Sequence, residues 1–315
     1  MEVNGLLNET FSKKGGDSGK LLCYNANTGK ENGGVWVYKE AKWAKQILDL
    51  QDEEGKWGQF HSLSKSSGDR YTTEMALRRL KRLGYTIADP CIQKSVDYMT
   101  ACLRGEKEIP DPREKLHDWD IFTDLMLATW IRQFTLDCPE ANRVANTWAK
   151  LITESFQSGT YCHESYVASY LETFGMKPRG GRLVDFVNFY PIALLPGCLD
   201  EDTESSFLDY ILQHETGIYY IYENRLTDLP SQFQRRKTSY YLAALELLAA
   251  YSTAGRKLSF AADWLLSQRN DRGTWDMGSG VNDKIYFLLS DNWRKRETRE
   301  VDCTYRITGL LNKIG

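Results

Sequence analysis

The chain has 315 residues, of which 42% are hydrophobic and 12% aromatic, and its 40 Lys and Arg against 43 Asp and Glu leave a formal charge of −3. A disordered chain is poorer in aromatics and further from charge balance, and a sequence-independent nucleic-acid binder carries a basic excess, so both classes are set aside. No stretch approaches the ~18 apolar residues of a membrane span, and no basic segment leads into an apolar run at the start, which gives the expectation of a cytoplasmic protein without a membrane span.

Residues 1–35 carry Gly5, Gly15, Gly16, Gly19, Gly29, Gly33 and Gly34 among polar residues and read as a loop-rich N-terminal arm. Residues 36–315 read as one domain. Its first helical pattern, Trp43, Ile47, Leu50, runs into Gln51-Asp52-Glu53-Glu54-Gly55-Lys56-Trp57, and a second helical run follows over Tyr71 to Leu83. Gly105 precedes the run Trp119 to Phe134, and Gly159-Thr160-Tyr161 precedes His163 to Phe174. The apolar insert Val184 to Leu195 is kept from being one regular helix by Pro191. Gln213-His214-Glu215-Thr216-Gly217-Ile218-Tyr219 then precedes Thr238 to Tyr251, and Gln268 to Trp275 precedes Asp302 to Ile314. The seven cysteines are odd in number and include no Cys-x-x-Cys pair, as reduced thiols would be.

These segments are one unit repeated. The glycines at 55, 105, 159, 217 and 273 are spaced by 50, 54, 58 and 56 residues, and each stands where a left-handed residue closes a helix. The second runs share an early hydroxyl and apolar residues seven and ten later, as in Thr73, Leu80, Leu83 and Thr304, Leu311, Ile314, which predicts an N-cap followed by helix periodicity. Five helical hairpins of about 55 residues, an all-α fold, are expected.

The Gln-x-x-x-Gly-x-Trp element followed by a helix resembles the QW repeat of the terpenoid cyclase and protein prenyltransferase superfamily. The resemblance covers residues 36–315 and implies an alpha/alpha toroid, with Gln51, Trp57, Gln268 and Trp275 as scaffold. It further implies parallel inner helices whose N-termini meet at one mouth. The residues there would be Asp69 and Tyr71, Asp118 and Asp120, Cys162, His163 and Glu164, Arg235, Arg236 and Lys237, and Arg296, Arg299, Asp302 and Cys303. Helix N-termini favour anions. Arg296, Arg299, Arg235 and Arg236 are therefore the candidates for holding a diphosphate head group, and rings such as Tyr240 and Tyr305 for facing an isoprenoid cation.

The segment Asp302-Cys303-Thr304 resembles the acid motif of oxidosqualene cyclases, which implies Asp302 as proton donor and Cys303 as its partner. Such an acid must be held protonated by burial or by a hydrogen bond to its neutral form. A first-turn carboxylate that complements the helix dipole is the plainer role for Asp302, and for Asp118 and Asp120, which rank second as an acid pair. Arg296, Arg299, Asp302 and Tyr305 also match the spacing of the prenyltransferase beta subunit. Cys303 there falls one residue from the zinc-ligand position, and one residue turns a helical side chain by about 100°. Zinc or magnesium is left open as a cofactor. Cys162-His163 resembles the zinc ligands of lanthionine cyclases without the second cysteine. Hydrolase, nucleotide-binding and dehydrogenase motifs are missing.

The expected function is a terpenoid cyclase-like or prenyltransferase-like protein that takes an apolar or isoprenoid diphosphate ligand into a central cavity, for acid-initiated cyclisation or prenyl transfer. Two other classes stay open: a non-catalytic repeat-scaffold binding protein, and a carbohydrate-active alpha/alpha barrel using Asp118 or Asp120 with Glu164. A closed aromatic cavity favours the first, a filled centre the second, an open cleft with paired acids the third. A homo-oligomer or a partner subunit is compatible with each.

Overall fold

A computed structural model describes residues 30–32, 35–61, 70–115, 118–179 and 186–315. Most of the N-terminal arm, Asp69, His117 and the start of the 184–195 insert lie outside the described residues. Among the described residues the chain is all-α apart from a short antiparallel ribbon, β1 (Lys30–Asn32) with β2 (Val35–Val37), in which Lys30 faces Val37. Twelve α-helices follow among the described residues: α1 (Lys42–Leu48), α2 (Thr73–Arg82), α3 (Pro90–Leu103), α4 (Trp119–Arg132), α5 (Pro139–Ser155), α6 (His163–Phe174), α7 (Phe189–Leu194), α8 (Glu201–Gln213), α9 (Arg236–Leu248), α10 (Ala254–Lys257), α11 (Ser259–Ser267) and α12 (Arg296–Ile314).

Local chemistry explains the boundaries. Proline opens α3 and α5 at the first helical position, where its missing N–H costs nothing. At α2, Thr72 caps Met75 N, Glu74 sits in the first turn and Arg79, Lys81 and Arg82 sit in the last, as the helix dipole prefers. Helices pack in consecutive pairs, α1 with α2, α3 with α4, α5 with α6 and α11 with α12, and neighbouring pairs meet through α4 with α5 and α9 with α12.

The first and last copies of the repeat are wired alike. Trp57 Nε1 donates to Ile47 O at 2.7 Å, and Trp275 Nε1 donates to Leu265 O at 2.7 Å, in both cases to the carbonyl ten residues back. Trp57 N donates to Thr73 Oγ1 at 3.0 Å, and Trp275 N to Thr304 Oγ1 at 3.2 Å. Asp52 Oδ1 receives Glu54 N and Lys56 N, while Asn270 Oδ1 receives Arg272 N and Thr274 N. Gln51 reaches the next pair, donating to Cys91 O at 2.8 Å on α3.

This wiring corrects three expectations. The shared threonines do not cap helices: Thr73 is the first residue of α2, and Thr304 lies inside α12, which begins at Arg296. All five repeat glycines are left-handed, but only Gly105 directly follows a helix cap; Gly55, Gly159, Gly217 and Gly273 turn the chain further on. Gly55 is fixed by space as well, since a Cβ there would stand 2.6 Å from Lys94 O. The Gln213 copy does not repeat the pattern, because Gln213 is exposed and Tyr219 engages Val187 O through its backbone.

The insert also has a place. Its helix α7 packs on α4 and α9, with Thr129 Oγ1 donating to Tyr190 O at 3.1 Å and Tyr251 OH to Ile192 O at 2.7 Å. Side chains of α2, α7, α9 and α12 meet directly. Glu74, fully buried, accepts from Trp130 Nε1 at 2.7 Å and from Tyr190 OH at 2.8 Å. Glu246 accepts from Arg306 Nε at 2.8 Å and from Arg82. Finally, the two ends of the described chain touch: Lys42 N donates to Asp291 Oδ1 at 3.0 Å, Trp43 Nε1 to Ser290 O at 3.2 Å, and the Tyr38 and Tyr305 rings stand 5.5 Å apart.

Thr73→Val keeps the shape and removes the acceptor of a buried Trp57 N–H together with the bond Thr73 donates to Trp57 O. The expected loss is about 1–3 kcal/mol of unfolding free energy, read from urea denaturation. Thr147→Val, on an exposed face of α5, is the control and should lose far less.

Candidate functional site

The start of α12, the residues before α9 and the turn after α11 surround an open groove of about 740 Å³. It is lined by Gln232, Phe233, Gln234, Gln268, Asn270, Asp276 and Arg296. Four amides, one acid and one base make it a polar surface, with Phe233, packed edge-on against Trp264 at 5.8 Å, as its apolar wall. Arg235 directly follows Gln234 and donates to Gln232, so it adjoins the groove that Arg296 lines.

The four candidate arginines differ in what they have left to offer. Arg299 is spent: its guanidinium forks onto Asp276 at 3.2 and 3.0 Å, donates to Trp293 O and Arg294 O, and its side chain is 13% exposed. Arg296 is 61% exposed and bonds Glu300 Oε1 at 2.9 Å on the following turn. Arg235 and Arg236 are exposed at the start of α9. The groove therefore has Arg296 and Arg235 at hand with Arg236 beside them, whereas Arg299 holds its floor.

Asp302 is elsewhere. The residue is fully buried, and its Oδ2 accepts four hydrogen bonds: Leu289 N at 3.1 Å, Ser290 N at 3.0 Å, Ser290 Oγ at 2.9 Å and Trp293 Nε1 at 2.6 Å. It lies one turn and a half into α12 rather than at its start, and it clasps the 289–293 loop. Burial pushes its carboxyl above the usual carboxylate range, against the pull of the donors from Ser290, Trp293 and Leu289. Cys303 is fully buried too, and burial drives its thiol far up. Tyr305 and Tyr240 are half-buried and lean on Tyr38 and Tyr286 respectively.

The second pair of acids separates. Asp118 is buried and held by Arg179, while Asp120 is a solvent-facing partner of Arg113 at 2.7 Å. Cys162 Sγ points to Glu164 Oε2 at 3.5 Å, and His163 Nδ1 bonds Tyr161 OH at 3.0 Å, both exposed. Among the described residues no group of three His, Cys, Asp or Glu side chains is placed to hold a metal ion.

Two arrangements escaped the sequence, the tie of an amide run to the groove and the aromatic surroundings of His61. The amide run Gln232-Phe233-Gln234 was readable only as loop, and nothing in its spacing tied it to Asn270 or Asp276. His61, 3% exposed, stands with Nε2 3.8 Å from Glu74 Oε2, ringed by Phe122 at 5.3 Å, Tyr220 at 5.8 Å and Tyr190 at 6.2 Å. Tyr220 adopts a left-handed φ of 70°, uncommon for a bulky residue, to bring its ring there.

Comparison with protein-family models, curated proteins and solved structures finds no match to this chain. Among the described residues no helix is long and apolar enough to cross a membrane.

A folded-state carboxyl pKa above its unfolded value means that the native protein keeps a proton the unfolded chain has released. The contribution of Asp302 to stability is therefore greatest below the ordinary carboxylate pKa and is lost as pH rises through the raised one. Asp302→Asn cannot titrate. Urea midpoints of the two proteins from about pH 4 to about pH 7 should show the wild-type advantage largest at the acid end and shrinking upward. A gap that widens with pH would assign Asp302 an ionised role instead.

Proposed function

We propose that the chain is a repeat-scaffold binding protein built as an alpha/alpha toroid of about five hairpins, of the terpenoid cyclase and protein prenyltransferase type. Its groove recognises the diphosphate end of an isoprenoid ligand. The observation that carries this reading is the groove itself, which gathers Arg296 from the last repeat and Gln232 and Gln234 from the one before, with Arg235 adjoining it through its bond to Gln232. Exposed guanidinium groups give strong, charge-assisted hydrogen bonds to phosphate oxygens, and the amides supply further donors. Phe233 offers one apolar wall, enough for the first part of a chain and too little to enclose it.

The toroid reading is supported by the five left-handed glycines and by the identical Trp-to-Thr wiring of the first and last copies. Binding is favoured over acid-initiated cyclisation because Asp302 is spoken for by the 289–293 loop and does not line the groove. The inner side chains also bond to one another, as in Arg82, Glu246 and Arg306. A glycosidase-like site is disfavoured because Asp118 is held by Arg179, Asp120 by Arg113, and Glu164 accepts from Cys162. The free thiols of the six described cysteines suit the reduced, cytoplasmic setting we assign to the protein.

Three probes decide it: inorganic diphosphate, farnesyl diphosphate and farnesol, each followed by thermal shift and calorimetry. Both diphosphates should bind and farnesol should not, and Arg296→Ala combined with Arg235→Ala should weaken diphosphate binding about tenfold or more. Tight binding of farnesol, or indifference to both diphosphates, defeats the proposal.

A further inference from the structure

A buried carboxylate ties two arginines together at the groove beside α12. Glu300 is 3% exposed, and its Oε1 accepts from Arg296 Nε at 2.9 Å, from Asn270 Nδ2 at 3.4 Å and from Arg272 Nη2. Arg296 and Asn270 line the groove. The Arg272 guanidinium therefore rests against the same oxygen atom as that of Arg296, and its side chain is half exposed. Each arginine uses one nitrogen on Glu300, and among the described residues neither side chain makes another hydrogen bond. Asp276, whose Oδ2 stands 3.9 Å from Arg296 Nε, is already taken up by the fork of Arg299.

The first copy of the repeat shows that the scaffold does not require this pairing. Asp52 and Asn270 hold the same place in their turns, each giving one Oδ1 to two backbone N–H groups, those of Glu54 and Lys56 in one turn and of Arg272 and Thr274 in the other. The turn needs only an acceptor oxygen, and either side chain supplies it. In the first copy the turn is acidic and its charges close on one another: Lys56 binds Asp52 at 2.6 Å and Glu54 at 2.5 Å, and Lys107 binds Glu54 at 3.1 Å. The places of Asp52 and Glu54 are held in the last copy by Asn270 and Arg272. The shared wiring gives no reason for a base in place of an acid at the turn that borders this groove, whereas an anion in the groove does.

We propose, resting on the reading of the groove as a diphosphate site, that Arg272 is a further phosphate-binding residue and Glu300 the positioning residue for both arginines. Arg272 and Arg296 each take one phosphoryl group, so the groove selects ligands with two linked phosphoryl groups over those with one. A guanidinium carries five N–H donors in a planar fork, and an arginine bonded to Glu300 through one nitrogen keeps the others for phosphate oxygens. Held by a common acceptor, the two forks meet the ligand without first losing the freedom of two loose side chains.

The test is calorimetry of the full chain with inorganic diphosphate and with inorganic phosphate, on wild type and on three variants whose folding is checked by thermal unfolding. Wild type should bind diphosphate about tenfold or more tighter than phosphate. Arg272→Ala should weaken diphosphate about tenfold and leave phosphate within about twofold, because Arg296 remains. Glu300→Gln keeps an acceptor oxygen and removes the charge that restrains the arginines. It should lower the preference for diphosphate without weakening phosphate, whereas damage to the fold would weaken both. Lys107→Ala, the same loss of charge at the turn of the first copy, should change neither constant. Diphosphate binding that Arg272→Ala leaves intact, a loss that falls equally on both ligands, or a wild type that holds phosphate as tightly as diphosphate overturns the pairing of the arginines and spares the binding function. A wild type indifferent to diphosphate overturns both. A preference retained in Glu300→Gln overturns the positioning role of Glu300.

Discussion

The fold depends on how a tryptophan settles the polar atoms of a hairpin turn. A helix end leaves carbonyls without partners, and a buried indole leaves an N–H in the same condition. Trp57 joins the two by donating to Ile47 O, which also accepts from Leu50 N, then anchors its own backbone on Thr73, the first residue of the next helix. One residue thus ties the end of a helix to the beginning of its successor, and Trp275 ties the end of α11 to the middle of α12. The intervening turns reach the same end by other means. Tyr98 OH bonds Glu108 O beyond Gly105, and Tyr161 is locked among Phe156, Phe186 and Tyr210.

Inside, the helices meet through polar pairs set in an aromatic surround. Burial would raise the Glu246 carboxyl, but Arg306 and Arg82 together bring it down to about 2. Those two guanidiniums each lie 5.1 Å from the Tyr286 ring centroid. Pairs of this kind contribute little net stability, because desolvation offsets most of the attraction. Their geometric demands are strict, however. Arg82, Glu246 and Arg306 lie on α2, α9 and α12, so satisfying all three sets the relative position of three helices distant in sequence.

Much of the helical architecture was legible in the sequence because it rests on local rules. The second helix of the third pair was read as His163 to Phe174 and runs over those residues, and the glycine spacing did mark left-handed turns. The role of the threonines was not legible. A hydroxyl that caps a helix and one that receives a tryptophan N–H look the same in one dimension, and only the partner, 16 or 29 residues away, tells them apart. Asp302 misled for a related reason. Its position near a helix start suggested a free acid, whereas α12 begins six residues sooner and a loop with no recognisable pattern folds back onto the carboxylate. The groove was half legible: Arg296 and Arg235 stood out by charge, but the amides beside them carry no periodic signal.

Trp43 and Tyr38 lean on the same segment, residues 290 to 305, that closes the chain. An array of stacked hairpins ordinarily has two outermost members, each bonded on one side only, and melting creeps inward from them. Here the outermost members lean on each other, so neither is a loose end. Removing residues 38–43 or residues 290–305 strips the other segment of these contacts.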